Sequence, residues 1–258
     1  MSPEPKPGPL LVFDFDGVLV DGMPEYWWAA RQAALRLDPS LELPAQAPAD
    51  FARLRPFIHK GWEMVLVAAE LARSARARSG DSLIEAGDYT AALEPTLARW
   101  GWTASSLQAV LEEVRDEALR HERQVWLGRH RFYPDVVERL GRLAAEGADW
   151  GVLTTKGGAF AAEILAAAGL RPHCLYGHEQ GSKPDVLSRL CRLGRPVWFI
   201  EDRRPTLINV RGTPGLEAVR CYLAAWGYLA PGDAEGLAEA GIGWLTPDRF
   251  ASPLAQWP

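Results

Sequence analysis

Cysteine is scarce in this chain: three among 258 residues, at Cys174, Cys191 and Cys221. They are too few and too scattered for a disulfide framework, and are expected to be reduced core or boundary residues of a cytoplasmic protein. No apolar run approaches the roughly 18 residues that span a bilayer, and no amino-terminal apolar stretch reads as a signal peptide. Basic runs are missing too, and a net charge of −5 offers no electrostatic ground for a nucleic-acid partner. There is no internal repeat, and His121, His130, His173 and His178 have no pair spacing suited to a metal. What remains is a composition of 48% hydrophobic and 24% charged residues, ordinary for a globular protein. The length allows one large domain or two smaller ones. Ser2 to Pro9, rich in proline and charge, is expected to be a short disordered arm. The eleven tryptophans fall mostly within apolar periodic stretches and read as packing.

The most informative run is Leu10-Leu11-Val12-Phe13-Asp14-Phe15-Asp16-Gly17. An apolar strand ends in two carboxylates, and Gly17 then lets the backbone turn away. Alternate side chains of an extended chain share a side, so Asp14 and Asp16 point into one pocket. Two carboxylates that close repel unless a cation or a proton separates them. This predicts a Mg²⁺ site, a nucleophile with an acid/base partner, or both. The plainer alternative is a strand followed by a solvated acidic turn.

Three later segments bear on that choice. Trp150-Gly151-Val152-Leu153 reads as a short buried strand delivering Thr154 and Thr155. Gly181-Ser182-Lys183-Pro184-Asp185 sets a lysine just ahead of a helical stretch. Pro196 to Ile200 is another apolar strand, ending in Glu201-Asp202. The order of strand-Asp-x-Asp, strand-Thr, Lys and strand-Glu-Asp resembles the four motifs of the haloacid dehalogenase (HAD) superfamily, and spans residues 10 to about 207.

Between the first and second motifs the pattern is helical. Pro24 suits the first helical position, with Tyr26, Ala29, Ala30, Ala33, Ala34 and Leu37 on one face. A second helix is expected from about Arg55 through Leu71, and a third from Thr103, a suitable N-cap. The polar face of the third, including Glu112, Arg115 and Asp116, reads as a solvated surface. Residues 37–48 and 79–88 read as connections. From about Phe132 onward strands and helices alternate, with strands at 150–153, 173–176, 197–200, 219–224 and 242–245, which implies a parallel sheet with right-handed crossovers. The expected fold is α/β: a Rossmann-like core of residues 1–22 and 131–258, its parallel sheet flanked by helices, with an inserted all-helical domain of 23–130. The insertion is similar to the C1-type helical cap of HAD hydrolases, phosphoglycolate-phosphatase-like enzymes among them.

The resemblance implies a Mg²⁺-dependent phosphoric monoester hydrolase that works through an aspartyl-phosphate. Asp14 would be the nucleophile, and Asp16 the acid that protonates the departing alcohol and then activates water. Mg²⁺ would be held by Asp14, the backbone carbonyl of Asp16, Asp202 and, through water, Glu201. Lys183 would face both the phosphate and Asp14, and Thr154 would donate its hydroxyl to the phosphate, joined by Thr155 through its N–H. Lys156 beside them reads as a surface lysine. Arg55 and Lys60 are the candidate substrate contacts of the helical insertion, among the polar positions that include His59 and Glu63; the alternative for them is an exposed helix face. One departure stands out: many HAD enzymes carry a further carboxylate four residues after the motif-four aspartate, and here that position is Thr206. The expected partner is a small phosphorylated metabolite, with no nucleic acid and no membrane; the oligomeric state is not legible. A sugar-phosphate mutase, or a catalytically weak phosphate-binding regulatory protein, stays open as the alternative.

Overall fold

A computed structural model describes residues 8–76 and 82–258. Most of the expected amino-terminal arm, and residues 79–81 of the second expected connection, lie outside the described residues. The chain divides into two compact units: Met1–Asp21 with Phe132–Pro258, and Gly22–Arg131. The expected partition cut the chain after 22 and after 130.

The first unit is built on six parallel strands. These are β1 (Leu10–Phe13), β4 (Asp149–Leu153), β5 (Cys174–Tyr176), β6 (Val197–Glu201), β7 (Arg220–Ala224) and β8 (Ile242–Leu245), in the order β5-β4-β1-β6-β7-β8. The short strands β2 (Val20–Asp21) and β3 (Arg131–Phe132) lie outside this sheet. Helices 136–142, 158–167, 183–191 and 204–211 alternate with the strands, giving the α/β core that the pattern predicts. The strand positions were legible because strands buried on both faces are continuous apolar runs, and every residue of β1 is buried.

Register is what makes a site. Phe13 is level with Val152 on β4 and with Ile200 on β6. The carboxyl ends of the three central strands therefore finish together, and the Asp14 N–H donates to the Ile200 carbonyl at 2.8 Å. Ligands of open α/β sheets collect beyond such strand ends.

The second unit is helical, with helices Met23–Leu37, Ala49–Leu54, Gly61–Arg76, Tyr89–Trp100, Ala104–His121 and Arg123–Leu127. The helix expected over 55–71 does not run through. Arg55–Phe57 is a 3-10 turn, and a new helix starts at Gly61. Pro56 supplies no N–H for a helical ladder, and the buried Glu63 carboxylate caps the restart by accepting the N–H groups of His59 (2.9 Å) and Lys60 (3.0 Å). Thr103 does cap its helix, in a reciprocal pair with Ser106. On the face of that helix read as solvated, Asp116 is exposed as expected, but Arg115 is a correction: it is buried and pairs with buried Glu25 through two hydrogen bonds of 2.8 Å. A charged residue reads as surface until a partner satisfies it inside. Among the described residues, no helix is long and apolar enough to cross a membrane.

Candidate active site

The site begins with the turn after β1. Asp14 and Asp16 are 7% and 6% exposed. Gly17 follows at φ +92°, a conformation that side-chain-bearing residues avoid, and a Cβ there would lie 1.9 Å from Asp202 Oδ2. The Gly17 N–H closes the turn on the Val20 carbonyl at 2.8 Å. Only glycine allows the turn and the approach of Asp202 together.

Lys183, expected just ahead of the helix, is the first residue of helix 183–191; Ser182 caps that helix by accepting the Asp185 N–H. The lysine ammonium reaches Asp14 Oδ1 at 3.0 Å and Glu201 Oε2 at 2.5 Å. Glu201 ends β6 fully buried, and its other oxygen accepts the N–H groups of Asp202 and Arg203, both at 3.1 Å. Burial works against the Glu201 carboxylate, yet Lys183, with the Asp202 N–H and the charge of Arg203, holds the group below the usual carboxylate range. Asp14 bears the consequence. Burial, followed by the charge of Glu201, pushes it up to about 7 despite the counter-pull of Lys183. Burial likewise disfavours the lysine ammonium, but Asp14 and Glu201 together raise Lys183 to about 12. The lysine is shared unequally, and the shorter contact goes to Glu201.

On the neighbouring strand, Thr154 is buried and its N–H donates to the Tyr176 carbonyl at 2.9 Å. Its Oγ1 accepts the Lys156 N–H at 3.0 Å, which leaves the hydroxyl proton to be donated elsewhere. Thr155 is exposed. Lys156, read from the sequence as a surface lysine, is 5% exposed, and its ammonium lies 3.5 Å from Asp16 Oδ2. The signal for it was its place three residues beyond the end of β4, a strand inside the sheet.

A further contribution came with no warning from the sequence. The segment after β7 packs on the turn after β1: the Trp226 indole N–H donates to the Val18 carbonyl at 3.0 Å, and the Tyr228 hydroxyl donates to Asp21 Oδ1 at 2.7 Å. The Tyr228 N–H donates to Asp202 Oδ2 at 2.8 Å. A Cβ on Gly227 would sit 2.2 Å from the Asp202 Cβ and 2.7 Å from the Gly17 carbonyl oxygen. Asp202 is therefore oriented from the carboxyl side of β7, whereas Thr206 lies in the first turn of helix 204–211.

The donor set suits a hard divalent cation. Asp14, Glu201 and Asp202 each offer a carboxylate oxygen, all within 4.8 Å of one another and all buried. Counted with Asp16, four buried carboxylates gather beside two lysine ammoniums, so negative charge is in excess where a cation would sit. Glu201 is already engaged through both oxygens, so Asp14 and Asp202 are the better placed of the three to hold it.

The candidates of the helical unit have their own surroundings. Arg55 is buried, its guanidinium 4.9 Å from the centre of the Tyr26 ring, with Nη2 3.4 Å from the Tyr26 hydroxyl. Lys60 is exposed. Glu63 is the helix cap described above, and it also accepts the Tyr89 hydroxyl at 3.1 Å.

No curated protein matches the chain in sequence. Solved structures share its fold. A protein described as a predicted phosphoglycolate phosphatase from Haemophilus somnus has a TM-score of 0.57 at 19% identity, with 94% of each chain covered. A predicted phosphatase from Clostridium acetobutylicum has a TM-score of 0.56 at 15% identity, with 93% of each covered. A haloacid dehalogenase-like family hydrolase from Streptococcus pneumoniae has a TM-score of 0.56 at 16% identity, with 95% of each covered. Residues 9–205, from the residue before β1 to the helix after β6, match the family model of haloacid dehalogenase-like hydrolases, and the chain belongs to that family.

Proposed function

We propose that this hydrolase is a Mg²⁺-dependent phosphatase of a small phosphorylated metabolite, acting through an aspartyl-phosphate on Asp14. The observation that carries the reading is the meeting of Asp14, Lys183, Glu201 and Asp202 at the level ends of β1 and β6. Similarity of fold to proteins described as phosphatases supports the same choice.

A carboxylate approaching a phosphate dianion is repelled, so the site must supply positive charge. Bound Mg²⁺, held by Asp14, Asp202 and the Asp16 carbonyl, would supply most of it and keep Asp14 ionised. Lys183 stays fully protonated near neutral pH and adds a fixed cation beside Asp14. Asp14 attacks phosphorus, the phosphorus–oxygen ester bond breaks, and the proton of Asp16 passes to the leaving oxygen. Water then attacks the same phosphorus, Asp16 takes its proton, and the bond to Asp14 breaks to release inorganic phosphate. Thr154 donates its hydroxyl to a phosphoryl oxygen, and the exposed Thr155 is the weaker candidate beside it. In the helical unit we assign Lys60, with its exposed ammonium, to the substrate, and Arg55 to packing against Tyr26. Three cysteines without disulfide partners accord with a cytoplasmic location.

Hydrolysis of 4-nitrophenyl phosphate by the wild type and by Asp14→Asn, with and without Mg²⁺, tests this. Metal-dependent release of phosphate by the wild type alone is expected. Equal, metal-independent turnover by both proteins would remove the assignment, and an isomeric product without free phosphate would point to a mutase.

A further inference from the structure

Buried lysines are uncommon because removing an ammonium from water is unfavourable unless a partner compensates. Lys156 is such a residue, and the reaction above assigns it nothing. Its backbone is fixed on both sides: the N–H donates to Thr154 Oγ1 at 3.0 Å, and the carbonyl accepts the His178 N–H at 3.3 Å. From that fixed base the side chain, 2% exposed, runs inward until its ammonium lies 3.5 Å from Asp16 Oδ2. The second lysine of the site, Lys183, is committed to Asp14 and Glu201. Asp16 Oδ1, the oxygen on the other side of that carboxyl group, is buried and accepts no hydrogen bond.

We propose that Lys156 is a positioning residue for Asp16: by holding Oδ2 it turns Oδ1 toward the oxygen that leaves phosphorus and, in the second half-reaction, toward the attacking water. The inference rests on the phosphatase reading. A separation of 3.5 Å is ion-pair distance, longer than a close charge-assisted hydrogen bond. The lysine therefore orients the carboxyl group without sequestering the oxygen that exchanges the proton. A group that acts through a general acid matters most where the acid matters most, in the expulsion of a basic leaving group.

The test is single-turnover release of phenol from phenyl phosphate and of nitrophenol from 4-nitrophenyl phosphate, with enzyme in excess and Mg²⁺ present. Wild type, K156M, K156R, D16N and K156M/D16N are compared. Phenolate is the more basic leaving group, so K156M is expected to lose at least about tenfold more rate with phenyl phosphate than with 4-nitrophenyl phosphate. K156R is expected to recover much of that difference, and K156M is expected to add little to D16N, since residues acting as one unit are not additive. Should K156M not fold, K156Q carries the same comparison. No loss, an equal loss on both esters, or full additivity with D16N overturns the role given to Lys156 while leaving the phosphatase reading in place. A wild type that releases neither phenol nor nitrophenol overturns that reading, and this inference with it.

Discussion

The two units bury charge in opposite ways. In the helical unit, two buried carboxylates, Glu25 and Glu70, form salt bridges with guanidinium groups. Glu25 takes two hydrogen bonds from Arg115 and one from the Trp126 indole at 3.3 Å. Glu70 is held by Arg73 at 2.8 and 2.9 Å, by Arg99 at 3.3 Å and by the Trp100 indole at 2.7 Å. Although burial works against it, these partners keep Glu70 below the ordinary carboxylate range. In the α/β unit, three of the four buried carboxylates at the strand ends share two lysines, and one of them, Asp14, is pushed up to about 7. Compensated burial holds a fold together; uncompensated burial of one sign marks where a cation and a reacting group belong.

The contrast is most exposed to test at Asp14 and Glu25. Asp14→Asn is expected to lower turnover by at least about a thousandfold. The same change removes one excess negative charge, so the metal-free variant should melt higher than the metal-free wild type. A melting point that falls would mean that the carboxylates at the strand ends are as well compensated as those of the helical unit. Glu25→Gln has the opposite expectation. It leaves the Arg115 guanidinium buried without its counter-charge, which costs about 3–5 kcal/mol, and denaturant unfolding of the variant checks it.

Protonation sharpens the comparison further. Asp14 in the folded, metal-free protein stands near 7 against an ordinary value of 3.8. The folded state then holds a proton that the unfolded state has released. The associated stability is complete below about pH 4 and is lost as pH rises through 7, on the order of a few kcal/mol. Glu201 is depressed instead, so its contribution is already constant above the ordinary carboxylate range and does not alter the slope from pH 5 to 7. In chelator, the melting temperature should therefore fall between pH 5 and 7, and saturating Mg²⁺ should flatten the decline. A flat profile in chelator would contradict the strain assigned to Asp14.

A smaller effect is expected at Gly227. The added methyl of Gly227→Ala meets the Asp202 Cβ and the Gly17 carbonyl, so stability should drop by about 1–3 kcal/mol. Mg²⁺ affinity, read by calorimetry, should weaken with it, because Asp202 is displaced from the Tyr228 N–H. Unchanged affinity in a folded variant would show that the segment after β7 merely covers the site. Least of all is expected from Arg36→Ala, which breaks an exposed pair with Glu117 and should leave the melting temperature unmoved.

Much of the fold was legible in sequence, for one reason. The strands of a parallel sheet are covered on both faces, so β1, β4 and β6 appear as uninterrupted apolar runs, and the carboxylates and threonine that end them stand out by contrast. The helix caps at Thr103 and Gly147 were legible because capping is a local transaction between neighbours. Less of the site could be read. Lys156 and Arg115 looked like surface residues, because a charge reveals its burial only through a partner, and those partners lie 140 and 90 residues away along the chain. The segment 226–228 carries no chemical signature: it holds Asp202 through the Tyr228 N–H and the missing side chain of Gly227, and the turn after β1 through the Trp226 indole and the Tyr228 hydroxyl.

The amino-acid order alone determined which residue types end which strands, because local pattern and burial on both faces leave few ways to place an apolar run. Only the tertiary structure decided how the charges are divided. Parallel register brought the ends of β1 and β6 level, gave the nearer share of Lys183 to Glu201 rather than Asp14, and turned Lys156 inward onto Asp16. Coulomb energies vary over ångströms, and those distances are set by packing between segments that the sequence keeps far apart.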